Sequence, residues 1–390
     1  LNAFLPYGAW WSTPFARWQG PLAHLHSLRF AAFTARGALA ARGIGADALD
    51  FGVLGFTVPQ PGSFYGLPWV AAEAGAAHLA GPSIMQACAT SARCLQVAAA
   101  EVAGGGATAA LVLAADRVSN GPTLVYPRSD GPGGAAQVEN WVLDNFAADP
   151  WAKCAMVQTA ENVAAKWGLQ REAQDDLVLM RLAQYHGARE RGFHGSFLMT
   201  ALPEGHLEGD FGVQPVNAGK VRGLRPVQPG GIVTYAGQTH PADGNAGAIV
   251  ATRDAARALS RRPEIEVALL GFGTARVEAA MMPAAPVPAT ARALKAAGLE
   301  MAAVDAVTSH NPFAVNDLVF AHETGFPLER MNVNGCSLVF GHPQGPTGLR
   351  CTIELIETLA ERGGGVGLFQ GCAAGDTAMA LVLEVRDARH

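Results

Sequence analysis

The stretch TSARCLQVAAAEVAGGGATAALVLAAD, residues 90–116, constrains the fold more than any other part of the chain. Residues 90–103 are alanine-rich, open on Thr-Ser and run into three glycines, which predicts a helix with a polar start and a sharp stop. Residues 108–116 follow as an almost unbroken apolar run, the pattern of a strand buried on both faces. Such a strand must be covered by helices on both sides, so the chain is of the α/β class. FGVLGFT at 51–57 predicts an earlier buried strand, and SLRFAAFTARGALAARG from 27 to 43 has helical periodicity with a glycine stop.

The same alternation restarts late in the chain. GAIVATRDAARALS and EIEVALLGFG precede a strand, VDAVTSH, that ends at residue 310. GPTGLRCTIELIETLAERGG then predicts a helix, and GVGLFQGCAAGDTAMALVLEV a strand, a turn and a strand. The two parts look alike, which predicts an internal duplication. Between them the character changes. Residues 119–154 are rich in Gly, Pro, Asp and Trp without a sustained period, 156–190 predict two helices broken at Gly168, and 193–242 are loop-rich. The expected organisation is a first half at 1–118, an excursion at 119–245 and a second half at 246–390.

Composition narrows the class. A chain of 390 residues with 49% apolar and 16% charged residues is globular and too long for one core. The net charge, 28 − 33 = −5, is too mild to predict a nucleic-acid or membrane partner. No apolar run is long enough to span a bilayer, and no basic-then-apolar leader is visible after Leu1, so a cytoplasmic location is expected, with the initiator missing or processed. Six cysteines in so long a chain predict free thiols rather than a disulfide framework, and none has zinc-ligand spacing, so no metal is expected.

Four residues stand where chemistry is possible. Cys88 immediately precedes the alanine-rich helix; the unpaired N–H groups there would favour a thiolate, although a small residue in a helix-start turn is the alternative. His342 lies in NVNGCSLVFGHPQGPTGLR (332–350), where Gly and Pro bend the chain and let a ligand come close, but a satisfied polar group fits as well. Cys372 sits at the turn FQGCAAGD, as an acid/base thiol or as a small residue where nothing larger fits. His310 ends a strand, the usual place for ligand contacts in α/β sheets and also for loop caps.

Together these blocks resemble one family, the thiolases. Residues 332–350 look like its NxNGGxxxxGHPxGxxG block, with His342 at the catalytic histidine. Cys88 falls at the acyl-accepting cysteine and Cys372 in the CxGxG turn. STPFARWQGPLA, DRVSNGP, MVQTAENVAAKWGLQREAQD, LRPV, GQTHPADGNAGA and HNPFAVND agree in order, so the resemblance runs from about residue 12 to 386. It implies two similar halves packed as a five-layer αβαβα core with a loop domain over the site. It also implies thiolytic cleavage of a 3-oxoacyl-CoA, reversible as a Claisen condensation. Cys88 would be the nucleophile, His342 its base and Cys372 the acid/base at carbon. One oxyanion hole would use His342 and His310, the other the N–H groups of Cys88 and Ala374. Coenzyme A is then a substrate, no cofactor is needed, and a homodimer or homotetramer is expected.

This chain also departs from the family pattern. His310-Asn311-Pro312-Phe313 replaces NEAF, Ala374 replaces a glycine, and Ala155 stands where a histidine often precedes Met156. His240 is expected where a small polar residue faces the pantetheine, with Met156, Phe313 and Gly341 as further substrate contacts. Lys220, Arg222 and Arg225 could meet the CoA phosphates or be solvated charges. Trp141 and Trp151 could line an acyl pocket or pack a loop. Two other readings remain: a ketosynthase-like decarboxylative condensing enzyme, and a degenerate acyl-CoA-binding subunit.

Overall fold

A computed structural model describes residues 1–389. The chain begins with short strands β1 (Ala3–Phe4), β2 (Trp10–Ser12) and β3 (Ala16–Arg17), then α1 (Ser27–Ala41), β4 (Phe51–Gly55), α2 (Leu67–Glu73), β5 (Ser83–Ile84), α3 (Thr90–Ala103) and β6 (Ala109–Arg117). The excursion holds a small hairpin, β7 (Thr123–Tyr126) with β8 (Gln137–Asn140), and helices α4 (Leu143–Ala147), α5 (Met156–Trp167), α6 (Arg171–Glu190) and α7 (Ala218–Arg222). The chain returns to the sheet as β9 (Ala242–Ala251), followed by α8 (Arg253–Leu259). The second half is β10 (Ile265–Arg276), α9 (Pro286–Ala297), β11 (Ala306–His310), α10 (Ala314–Thr324), α11 (Ser337–Phe340), α12 (Thr347–Glu361), β12 (Gly364–Ala373) and β13 (Thr377–Asp387).

The expected duplication is present in the topology. In the first half β5, β4 and β6 are parallel neighbours and β9 closes antiparallel to β6. In the second half a parallel bridge from Val307 to Met331, then β11 and β12, repeat the parallel set, and β13 closes antiparallel to β12. α3 and α12 occupy the same place in each half. The two half-sheets are not separate: β1 pairs with both β10 and β9, so eleven strands form one continuous sheet.

Side-chain packing yields the five layers. Leu28 and Leu39 of α1 with Leu67 and Val70 of α2 cover the outer face of β4 and β6. Leu95 and Ala98 of α3 and Ile353 and Ile356 of α12 fill the middle, between Val53 and Val112 on one side and Leu381 and Leu383 on the other. Ala289 and Ala293 of α9 and Phe320 of α10 cover Leu368 and Val382 outside. The expected boundary at 245/246 falls inside β9, because the first half closes with that strand; DGNAG reads as a turn in sequence, yet every residue of the strand is buried. Among the described residues, no helix is long and apolar enough to cross a membrane.

Candidate active site

Turns preceding equivalent helices carry the two central groups. On the first-half side, Ala87 takes a left-handed φ of 45°, unusual for a residue with a Cβ, and turns Cys88 toward the second half. Thr90 locks this turn: its Oγ1 accepts from Gln86 N at 2.9 Å and donates to Ala87 O at 2.7 Å. On the other side, Gln344 has φ 65° between His342 and the start of α12. The turns are tied together, with Ser91 N donating to Gly345 O at 3.2 Å and Leu349 N to Ser91 Oγ at 2.8 Å. Asp116, at the end of β6, accepts from Thr57 N (2.7 Å), Val58 N (2.8 Å), Thr57 Oγ1 (3.0 Å) and Gly345 N (2.8 Å). It therefore anchors the histidine loop to the half that carries Cys88. Burial pushes its carboxyl up to about 7 despite these donors.

These ties set His342 Nε2 3.1 Å from Cys88 Sγ, and His342 Nδ1 2.7 Å from Thr347 Oγ1. With the proton on Nδ1, given to Thr347, Nε2 is free to take the thiol proton. Gln344 Oε1 lies 3.5 Å from the same sulfur. Against the expected thiolate at the helix start stands the desolvation of the sulfur. Burial pushes the Cys88 thiol up to about 12, although the backbone N–H groups of Ala374 and Cys88 itself oppose the rise. Burial and the neighbouring His310 hold His342 well below the ordinary imidazole range. Both shifts favour the neutral thiol and neutral imidazole over the ion pair. A helix terminus favours the anion, but here desolvation costs more than it returns.

His310 and Cys372 come from the ends of adjacent parallel strands, His310 being in register with Gly371. The His310 ring stacks on His342 with centroids 4.0 Å apart and planes 26° from parallel. Its Nδ1 meets Ser337 Oγ at 2.9 Å, while its buried Nε2 has no partner, and burial pushes its pKa down to about 3. Cys372 is fully buried, and burial and then the nearby Cys88 raise its pKa. Ala374 keeps its N–H toward Cys88 without a left-handed backbone, so alanine replaces glycine here without strain. Cys88, His310 and His342 present one Sγ and two ring nitrogens within 4.8 Å of one another. That spacing could hold a metal ion, which would block the atoms needed for proton transfer.

A cavity of about 530 Å³ opens on Cys88, His342, Gln344 and Ala374. Met156, Phe313, Gln238 and Thr239 line it, as do Ala155, Met282, Val142, Phe146 and Trp141. Other expected contacts lie elsewhere. His240 faces a second cavity of about 250 Å³ with Arg17, Lys220 and Tyr235, because consecutive residues of an extended chain point opposite ways and Thr239 takes the inward position. Gly341, at φ +94°, lies against this His240, where a Cβ would come within 2.7 Å of the ring Nε2. Arg222 is paired with Asp176 at 2.6 Å, and Arg225 is exposed. Trp151 is 73% exposed and is not part of the cavity wall. Asp116, Thr239, Ser337, Gln344 and Thr347 were not identifiable from sequence as site residues, although most lie within or beside the recognised blocks.

Comparison with known proteins agrees over the whole chain. The family profile of the thiolase N-terminal domain matches residues 10–254, and that of the thiolase C-terminal domain residues 264–385. The acetyl-CoA acetyltransferase of Escherichia coli (strain K12) is 31% identical over 236 residues, 58% of this chain and 59% of that protein. The acetyl-CoA acetyltransferase of Allochromatium vinosum is 26% identical over 379 residues, 94% of this chain and 95% of that one. The crystal structure of human mitochondrial 3-ketoacyl-CoA thiolase superposes with a TM-score of 0.90 at 25% identity, covering 98% of both chains. The structure of that human protein in complex with CoA superposes with a TM-score of 0.89.

Proposed function

Because the chain belongs to the thiolase family of acyltransferases, we propose that it cleaves a 3-oxoacyl-CoA with CoA, through an acyl group carried on Cys88. The observation that carries this reading is the 3.1 Å contact of His342 Nε2 with Cys88 Sγ, beside the N–H groups of Cys88 and Ala374. The thiol gives its proton to His342 as sulfur bonds to the 3-keto carbon. The N–H groups of Cys88 and Ala374 face the alkoxide that results, while His342 and His310 face the oxygen of the enolate that is about to leave. The bond between C2 and C3 then breaks, its electron pair passing to the enolate of the departing acyl-CoA. Cys372 protonates that enolate at carbon and becomes a thiolate. The acyl-Cys88 thioester oxygen lies toward the N–H groups of Cys88 and Ala374. The Cys372 thiolate takes back the proton held on His342, and His342 then accepts the proton of the incoming CoA as it takes the acyl group and passes that proton to Cys88. Run in reverse, the same groups condense two acyl units.

The cavity favours acyl groups larger than acetyl, since Val142, Phe146, Met282 and Trp141 provide an apolar end and Ala155 leaves room beside Met156. A thiolysis panel from acetoacetyl-CoA to longer and aromatic 3-oxoacyl-CoAs tests this. Higher kcat/KM for the larger members is expected, and a preference for acetoacetyl-CoA would sink it.

The stacked His310 and His342 beside a cysteine also suit a decarboxylative condensing enzyme. That chemistry needs no acid/base at carbon, so malonyl-thioester condensation that survives Cys372→Ala would favour it. We further infer a homodimer through the short edge strand β5, next to which Phe64 (94%), Tyr65 (72%) and Met85 (61%) stand exposed. Light scattering that finds only monomer at micromolar concentration would refute it.

A further inference from the structure

Cys372 has to alternate between thiol and thiolate in a site that penalises the charged form. It is fully buried, and the titratable groups facing it, Cys88 and Asp376, both disfavour a second negative charge. One side chain works the other way. Asn316, on the first turn of α10, places its amide nitrogen 3.2 Å from Cys372 Sγ.

The orientation of that amide follows from its neighbours. Phe313 N, at the start of α10, donates to Asn316 Oδ1 at 3.1 Å, and a backbone N–H can only donate. The oxygen end is therefore fixed on the helix cap, and the nitrogen end faces two acceptors, Cys372 Sγ and Pro283 O at 3.5 Å. Asn316 is fully buried and is not part of the cavity wall, so neither solvent nor substrate competes for its donor.

We propose that Asn316 is the positioning residue of the acid/base thiol: its amide donates to Cys372 Sγ and stabilises the sulfur whenever it carries negative charge. The inference rests on the thiolase reading and deepens it. When Cys372 gives its proton to the enolate carbon, the thiolate left behind gains a charge-assisted hydrogen bond that the thiol lacks. The bond weakens again when the thiolate is reprotonated. Asn316 thus acts only on steps that pass through the Cys372 thiolate. Transfer of an acyl group between Cys88 and CoA has no carbon acid and does not use it.

Two variants separate this role from a structural one. Asn316→Asp keeps an oxygen for the Phe313 N–H but replaces the donor with a carboxylate, whereas Asn316→Leu removes both. Three measurements are made on the full-length protein: thiolysis kcat and KM across pH, exchange of labelled CoA into acetyl-CoA, and the thermal midpoint. Both variants are expected to lose about tenfold to a hundredfold in thiolysis kcat, the worth of one hydrogen bond to a charged group. KM and CoA exchange should stay within about twofold of wild type, since they report binding and Cys88 alone. Both should lower the thermal midpoint, Asn316→Asp by burying a carboxyl against Pro283 O and Asn316→Leu by leaving the Phe313 N–H without its acceptor. The midpoint thus reports packing, and the kcat-to-exchange ratio reports the thiolate. A wild-type kcat and pH profile in Asn316→Asp would overturn the inference, as would an equal loss in CoA exchange. A wild type inert in both assays would instead sink the thiolase reading, and the inference with it.

Discussion

The turn before α3 and the turn before α12 hold equivalent places in the two halves, yet they do opposite work. The first is short, strained at Ala87, and presents a sulfur with its own backbone N–H. The second is longer, rich in Gly and Pro, and presents an imidazole held from behind by Thr347. Cys88, the proposed nucleophile, and the carboxylate anchor Asp116 come from the first half. His342, His310, Cys372 and Asn316 all come from the second. Duplication thus supplies a symmetric scaffold with two helix starts facing each other, and in the proposed reaction the residues placed on it would divide attack on one side from proton handling on the other.

Removing the base breaks this division most directly. His342→Asn is expected to lower kcat by about 10²–10⁴-fold, the usual worth of a positioned acid or base, while KM changes little. Steady-state thiolysis checks it, and a loss below tenfold would mean that Cys88 ionises without His342.

Asp116→Ala attacks the tie between the halves. It leaves the buried N–H groups of Thr57, Val58 and Gly345 without their acceptor, so a loss of about 3–5 kcal/mol in unfolding free energy is expected. Denaturant titration measures it. Cys88→Ala, which removes only the weak contacts of the thiol with His342 and Gln344, should stay within about 1 kcal/mol of wild type in the same titration.

The pH profile gives the smallest and sharpest contrast. His342 is held below its ordinary range, so it stays neutral and able to accept a proton as pH falls through about 6.5. The acid limb of kcat/KM should therefore lie below that value. A limb near 7 that disappears in Asp116→Asn would instead belong to the carboxylate, which burial has raised to about 7.

Much of the fold was legible because its signals are local. The helix at 90–103, the break at Gly168 between α5 and α6, and the strand ending at His310 follow from periodicity and glycine stops, and the structure has all three. Long-range pairing was not legible. Nothing in β1, two residues long, announces that it joins the half-sheets, and β9 begins in a polar segment that reads as a turn. The site divides in the same way. Cys88, His342, Cys372 and His310 stood out by residue type and block, and they gather around one point. Asp116 and Asn316 are ordinary polar residues in sequence; their roles appear only through partners 229 and 56 residues away. The helix start after Cys88 is legible in sequence because its signals are local, but the desolvation that opposes a thiolate there is not. His240 and Thr239 line different cavities because the phase of an extended segment is set by its neighbours, which sequence does not reveal.

The central claim is that Cys88 carries the acyl group. Mixing the protein with a 3-oxoacyl-CoA in the absence of free CoA, quenching in acid and mapping peptides by mass spectrometry tests it directly. The account predicts the shortened acyl group on the peptide containing Cys88 and none in Cys88→Ala. An acyl group found on Cys372 instead, or an unmodified Cys88 during turnover, would contradict it.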